Sequence, residues 1–134
     1  MHRAIVAHLE IAGKGGEALK RFYDSLFGWW IRSEPCGEQV AYWIDPNAAG
    51  IQSAIRGATH NGVIPYVEVD DVLENLCYAE ELGGGIIELP HEIVFDGRRP
   101  TVALFADPEG NHLGLSNGFD RPSDQSTRSL WTRA

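Results

Sequence analysis

The chain has 134 residues, enough for one ordinary domain or for two small modules that share a core. Apolar residues make up 43% and charged residues 22%, a globular balance rather than a disordered one. Eleven Lys and Arg against nineteen Asp and Glu leave a formal net charge of −8, which argues against a nucleic-acid backbone or an anionic membrane as the main partner.

Residues 4–11 alternate as a strand, with Ile5, Ala7, Leu9 and Ile11 on one face and Val6, His8 and Glu10 on the other. Gly13, Gly15 and Gly16 break that pattern. From Glu17 to Phe27 the period becomes helical, and Leu19, Phe22, Tyr23 and Leu26 form one apolar stripe. Gly28 stands where a left-handed C-cap belongs. Trp29-Trp30-Ile31 opens a second strand, and Pro35-Cys36-Gly37 signals a turn. Gln39 to Ile44 reads as a third strand ended by Asp45-Pro46-Asn47, and Gly50 to Ile55 as a short fourth. Gly57 to Gly62 is a polar connector.

The order then starts again. Val63 to Val69 is a strand, and Asp71 and Glu74 have capping-box spacing at the head of a helix. Val72, Leu76, Ala79 and Leu82 make its stripe, and Gly83-Gly84-Gly85 stops it. Ile86 to Leu89, Thr101 to Ala106 and His112 to Ser116 are strands, the last two separated by Asp107-Pro108-Glu109-Gly110. From Phe119 onward the composition is polar apart from Leu130 and Trp131, which predicts a loose tail over 119–134. No apolar run approaches a membrane span, and residues 1–6 carry no export signal. Cys36 and Cys77 are too few for a disulfide framework. Together these features predict a cytoplasmic protein with reduced cysteines.

Three pairs of echoes run in the same order through the two halves. Val6-x-His8-Leu9-Glu10-Ile11 parallels Ile64-x-Tyr66-Val67-Glu68-Val69. Phe22-Tyr23-x-x-x-Phe27-Gly28 parallels Cys77-Tyr78-x-x-x-Leu82-Gly83. Ala41-x-Trp43-x-Asp45-Pro46 parallels Ala103-x-Phe105-x-Asp107-Pro108. The repeated unit is strand, helix and three strands, which predicts an internal duplication. The expected fold class is α+β: two βαβββ units forming a cupped mixed sheet, with the helices on its convex face. A single domain over 1–118 is expected, with one unit at about 4–56 and the other at about 62–117.

Ala7-His8-Leu9-Glu10-Ile11 with Phe22-Tyr23-x-x-x-Phe27-Gly28-Trp29 behind it, Tyr66-Val67-Glu68-Val69-Asp70-Asp71, and Phe105-Ala106-Asp107-Pro108-Glu109-Gly110-Asn111 together resemble the vicinal oxygen chelate superfamily, that of glyoxalases, bleomycin resistance proteins and ring-cleaving dioxygenases. The resemblance covers about residues 4–117. It implies a ligand pocket inside the cup and a homodimer. Metal-dependent members hold one divalent ion with up to four side chains, two from each unit: a His on the first strand and a Glu on the last. Carried onto this sequence, those positions read Val6, Gln52, Ile64 and Gly114, none of them ionisable. Counted back from Phe22-Tyr23 instead, His8 takes the first-strand position. One His with a Gln and no carboxylate makes a poor site for a first-row metal, so no metal and no cofactor is expected.

Strand parity sends Val6, His8, Glu10, Gln52, Ile64, Tyr66, Glu68, His112 and Ser116 to the face away from the helices. Trp30, Tyr42 and Trp43 add flat apolar surface. The expected ligand-binding residues are His8, Gln52, Tyr66, His112, Trp43 and Trp30, with Glu10 and Glu68 as solvated strand ends. No catalytic residue is singled out. Three readings stay open: a metal-free protein that binds a small organic ligand, a metal-dependent lyase, isomerase or dioxygenase of glyoxalase type, and a metal-free acid/base enzyme using the same cup.

Overall fold

The computed structural model describes residues 4–36, 39–58, 61–95 and 97–119. The predicted tail beyond Phe119, with Trp131, lies outside the described residues. Chain contacts divide the protein into two compact units, His8–Ile64 and Met1–Ala7 with Pro65–Ala134. No helix among the described residues is long and apolar enough to cross a membrane.

In the first unit, β1 (Ile5–Gly13) leads to α1 (Gly16–Phe27), β2 (Ile31–Cys36), β3 (Gln39–Ile44), α2 (Pro46–Ala49) and β4 (Ser53–Gly57). The strand order is β2-β3-β4-β1, with β1 and β4 parallel and the other pairs antiparallel. Gly28 caps α1 at φ 68°, and its N–H donates to Asp24 O at 2.8 Å. The edge position of β2 tolerates Pro35, so the strand runs through the residue expected to end it. The expected Asp45-Pro46 turn is wound into the short helix α2, and β4 begins at Ser53 rather than Gly50. Asp45 Oδ1 accepts from Asn47 N at 2.9 Å, Pro46 supplies the first helical residue and Gly50 closes the turn at φ 85°.

Ile31, Tyr42, Ile44 and Ile55 form the core of this unit, with Leu19 and Tyr23 of α1 packed against it. The first residue of α1 lies so close to Tyr42 that a β-carbon on Gly16 would meet Cε2 at 2.7 Å. The predicted stripe is therefore only partly used. Leu19 and Tyr23 face the sheet, while Phe22 and Leu26 stay 57% and 58% exposed.

In the second unit, β5 (Gly62–Glu68) leads to α3 (Val72–Glu81), β6 (Gly85–Glu92), β7 (Thr101–Ala106) and β8 (His112–Ser116). The order β6-β7-β8-β5 repeats that of the first unit, again with the first and last strands parallel. Asp71 caps α3 by accepting from Glu74 N at 2.9 Å. Val69, Val72, Leu76, Ala103 and Leu115 form the core beneath α3. The Asp-Pro echo also holds in detail. Asp107 Oδ1 accepts from Glu109 N at 2.9 Å, as Asp45 does from Asn47. Each unit is thus an α+β βαβββ module carrying a mixed four-stranded sheet with its long helix on one face.

Phe119 is not the start of a solvated tail. It is 1% exposed. Gly118 lies against Pro100, where a β-carbon would come within 2.8 Å of the proline Cβ, and this close passage delivers Phe119 into the unit.

Candidate functional site

In the first unit, strand pairing fixes which side chains share the face turned from α1. Arg32 stands opposite Trp43, Trp43 opposite Ala54, and Ala54 opposite Glu10. These four form one row straight across β2, β3, β4 and β1. Glu34 and Ala41 are paired in the next row, as are Arg56 and Ala12. His8 lies one step beyond Glu10 on the same face, beside the end of β4, where Leu9 N donates to Gln52 O at 2.9 Å.

Ion pairs and hydrogen bonds link several polar groups of this face. Glu34 Oε2 accepts from Arg32 Nη1 and, at 3.1 Å, from the Trp43 indole N–H. Glu10 Oε2 faces Arg56 Nη1 at 3.5 Å, with the Glu10 side chain 11% and the Arg56 side chain 38% exposed. Glu10 is buried, not the solvated strand end expected, because Arg56 two strand positions along β4 reaches back to it. His8 is 3% exposed. Gln52 Oε1 is buried and has no hydrogen-bond donor among the described residues. Trp30 is half-buried just before β2, and its carbonyl accepts from Asp45 N at 2.9 Å. Tyr42 faces the other way, into the core under α1.

The corresponding face of the second unit is filled by the protein itself. Tyr66 is 3% exposed and stands opposite Gly114 in the parallel β5–β8 pair. Its ring lies within 2.6 Å, at Cγ, of where a β-carbon on Gly114 would sit. Phe119 meets the Tyr66 ring edge-on at 5.5 Å, and Phe95 meets Phe119 edge-on at 5.0 Å. Arg98 lies 5.1 Å over the Phe95 ring and donates to Phe119 O at 2.8 Å. Glu68 accepts from Ser116 Oγ at 2.7 Å, so it too is engaged rather than solvated. His112 lies at the exposed start of β8.

The candidates thus fall into two sets. His8, Gln52 and Trp43 share one face of the first unit, with Trp30 at the entry to β2. Tyr66 packs within the second unit, where His112 is solvent-exposed. The sequence reading missed Arg32, Glu34 and Arg56, whose shared face with Trp43 depends on the pairing register. Two clefts lie on the helix sides, about 840 Å3 beside Lys14 and Phe22 and about 280 Å3 beside Tyr78 and Pro108. Neither holds a candidate residue, and neither gathers titratable groups.

The residues do not fit the metal that the fold implies. Val6 is 51% exposed, Ile64 is 2% exposed, Gly114 has no side chain and Gln52 offers an amide. Among the described residues no cluster of three or more His, Cys, Asp or Glu could hold an ion, so the alternative position at His8 does not complete a three-ligand site.

No protein-family model matches the chain, and no curated protein matches it either. Solved structures do. A hypothetical protein from Bacillus halodurans C-125 superposes with TM-score 0.67 at 12% identity, covering 92% of this chain and 100% of that one. A glyoxalase/bleomycin resistance protein/dioxygenase superfamily member from Vibrio splendidus 12B01 gives 0.60 at 13% identity, covering 87% and 99%. A variant of Streptomyces coelicolor methylmalonyl-CoA epimerase, in complex with 2-nitronate-propionyl-CoA, gives 0.57 at 18% identity, covering 92% and 100%. The repeated βαβββ modules and these superpositions give one conclusion: the chain has the vicinal oxygen chelate fold.

Proposed function

We propose that this protein binds a small organic molecule without the superfamily's metal centre, and that His8, Gln52, Trp43 and Trp30 contact that molecule. The observation that carries the reading is the Tyr66 ring packed against Gly114, at a position where metal-dependent relatives need a carboxylate. A ligand side chain there would collide with the ring, and the remaining positions supply one ionisable group at most, His8 in the alternative count. Two facts support the location. His8 and the Gln52 carbonyl are buried polar groups on a sheet face, and Trp43 beside them offers an apolar plane.

The reading includes a cytoplasmic homodimer. Phe22, Leu26 and Phe27 on α1 are each more than half exposed, an apolar patch that a second copy would cover.

Thermal unfolding of the purified protein with and without Ni, Zn, Mn or Fe(II) tests the metal-free reading. A tight ion at a hundred times its Kd stabilises by about 2.7 kcal/mol through mass action. No such stabilisation is expected. An upward shift of several degrees that disappears in His8→Ala would overturn the proposal and restore a glyoxalase-type metalloenzyme.

A further inference from the structure

We infer that the cleft beside α3 is the docking site of the chain's own residues 126–134, with Trp131 as the apolar anchor and Arg128 and Arg133 against an acidic rim. The occupant lies outside the described residues, and the cleft lies wholly within the second unit.

The size of the cleft suits a side chain. Its volume of about 280 Å3 falls below the roughly 300–1,000 Å3 of pockets that hold small molecules. Tyr78, Ala79 and Leu82 form one wall, and Phe105 and Pro108 another. Tyr78 and Leu82 stand four residues apart, yet remain 57% and 64% exposed. The base of the cleft is firm. A β-carbon on Gly84 would meet Ala106 O at 2.6 Å and Ala79 O at 3.0 Å, so the end of α3 is pressed against β7. An indole seated on Tyr78 and Leu82 would remove apolar surface from water on both sides of the contact.

Charge selects the occupant. Residues 62–119 carry eleven Asp and Glu against two Arg, while residues 1–61 balance six against six. The two arginines of that acidic stretch are engaged elsewhere, Arg98 on Phe119 O and Arg99 on Glu92. Glu80 and Glu81 immediately precede Leu82, and Asp107 and Glu109 bracket Pro108. The last turn of α3 carries no basic residue, although the negative end of a helix dipole favours a cation. Residues 126–134 supply what is lacking there: Arg128 and Arg133 flank Leu130-Trp131, with no Asp or Glu among them. The larger cleft of the first unit is a poorer match, since Lys14 lines it and its surroundings carry no acidic excess.

The reach is sufficient. Phe119 lies just past the end of β8, and the Asp107 turn lies before its start. The five residues of β8 span about 17 Å, and passing to the helix layer adds about 10 Å. The twelve positions from Phe119 to Trp131 extend to about 40 Å.

Photo-cross-linking of the full chain tests the inference. With Trp131 replaced by p-benzoylphenylalanine, irradiation is expected to give a product of monomer mass on a denaturing gel. Peptide mass spectrometry is expected to join position 131 to residues 75–82 or 105–108. Tyr78→Lys combined with Leu82→Lys, both at exposed positions, should lower that yield several-fold while circular dichroism shows the fold retained. Arg128→Glu combined with Arg133→Glu should lower it similarly, and this pair leaves the cleft itself untouched. Products mainly of twice the monomer mass would assign the cleft to the tail of a second copy and overturn the inference. Cross-links mainly to other sites, including the cleft beside Lys14, would also overturn it. So would the absence of any cross-link, or a yield unchanged in the Arg128 and Arg133 variant.

Discussion

The ring of Tyr66 occupies the space that any side chain on Gly114 would need, with Cγ only 2.6 Å from the position of a β-carbon. The two residues stand opposite each other on parallel strands, so neither can step aside without shifting β5 or β8. Gly114→Ala is therefore expected to overpack the second unit and to destabilise it by about 1–3 kcal/mol. Tyr66→Ala alone should cost about 3–5 kcal/mol, by analogy with large aromatic truncations. The pair should be strongly non-additive, because removing the ring makes room for the methyl group. A double-mutant cycle by urea unfolding checks this, and additive costs would show that ring and glycine are not in contact.

Phe119 extends the same packing. Fully buried between Tyr66 and Phe95, it should cost about 3–5 kcal/mol when truncated to alanine. A residue of a loose tail would cost under about 0.5 kcal/mol. The midpoint of chemical unfolding of Phe119→Ala separates the two outcomes. Arg98→Met should be milder, since it removes the clasp on the Phe119 carbonyl and leaves the aromatic contacts.

These residues also mark where the sequence was legible and where it was not. The two Asp-Pro turns, the Asp71 cap and Gly28 each carry their local geometry in a few neighbouring residues, and all four lie where the pattern puts them. Parity along a strand likewise places His8 and Tyr66 on the faces away from the helices. What fails is everything that depends on a distant partner. Glu10 looks like a solvated strand end until Arg56, 46 residues away, is seen to meet it. Phe119 looks like the first residue of a polar tail, because composition averages over its neighbours and its burial depends on Pro100 and Tyr66. The helical stripe of α1 gives a direction but not a depth, so Phe22 and Leu26 read as core and lie exposed.

That exposed patch supplies a test of assembly. If a second copy covers it, Leu26→Lys combined with Phe27→Lys should convert a dimer to a monomer at micromolar concentration without lowering helicity. Light scattering reads the mass and circular dichroism the fold. A wild-type chain that is already monomeric at that concentration would refute the homodimer.

The last prediction concerns pH and the Asp107 turn. The Asn111 side-chain amide donates to Asp107 Oδ2 at 2.9 Å, and the backbone N–H groups of Asn111 and Glu109 both donate to Oδ1 at 2.9 Å. These bonds favour the charged carboxylate. They hold its pKa below the ordinary value of 3.8, with the Asn111 side chain as the largest cause. Because the folded pKa is depressed, the carboxylate's contribution to stability is fully present above about pH 4 and is lost as pH falls through the lower, folded value. Asp107→Asn should therefore be less stable than wild type at pH 7, and the gap should narrow as the pH drops below 4. Asn111→Ala should raise the Asp107 pKa toward 3.8 while leaving the backbone donors in place. Carbon-detected NMR titration of the Asp107 carboxyl measures that shift directly. An unchanged pKa in Asn111→Ala would mean that the backbone amides alone hold the charge, and a pH-independent gap between wild type and Asp107→Asn would mean that the turn is held by its shape and not by the ionised carboxylate.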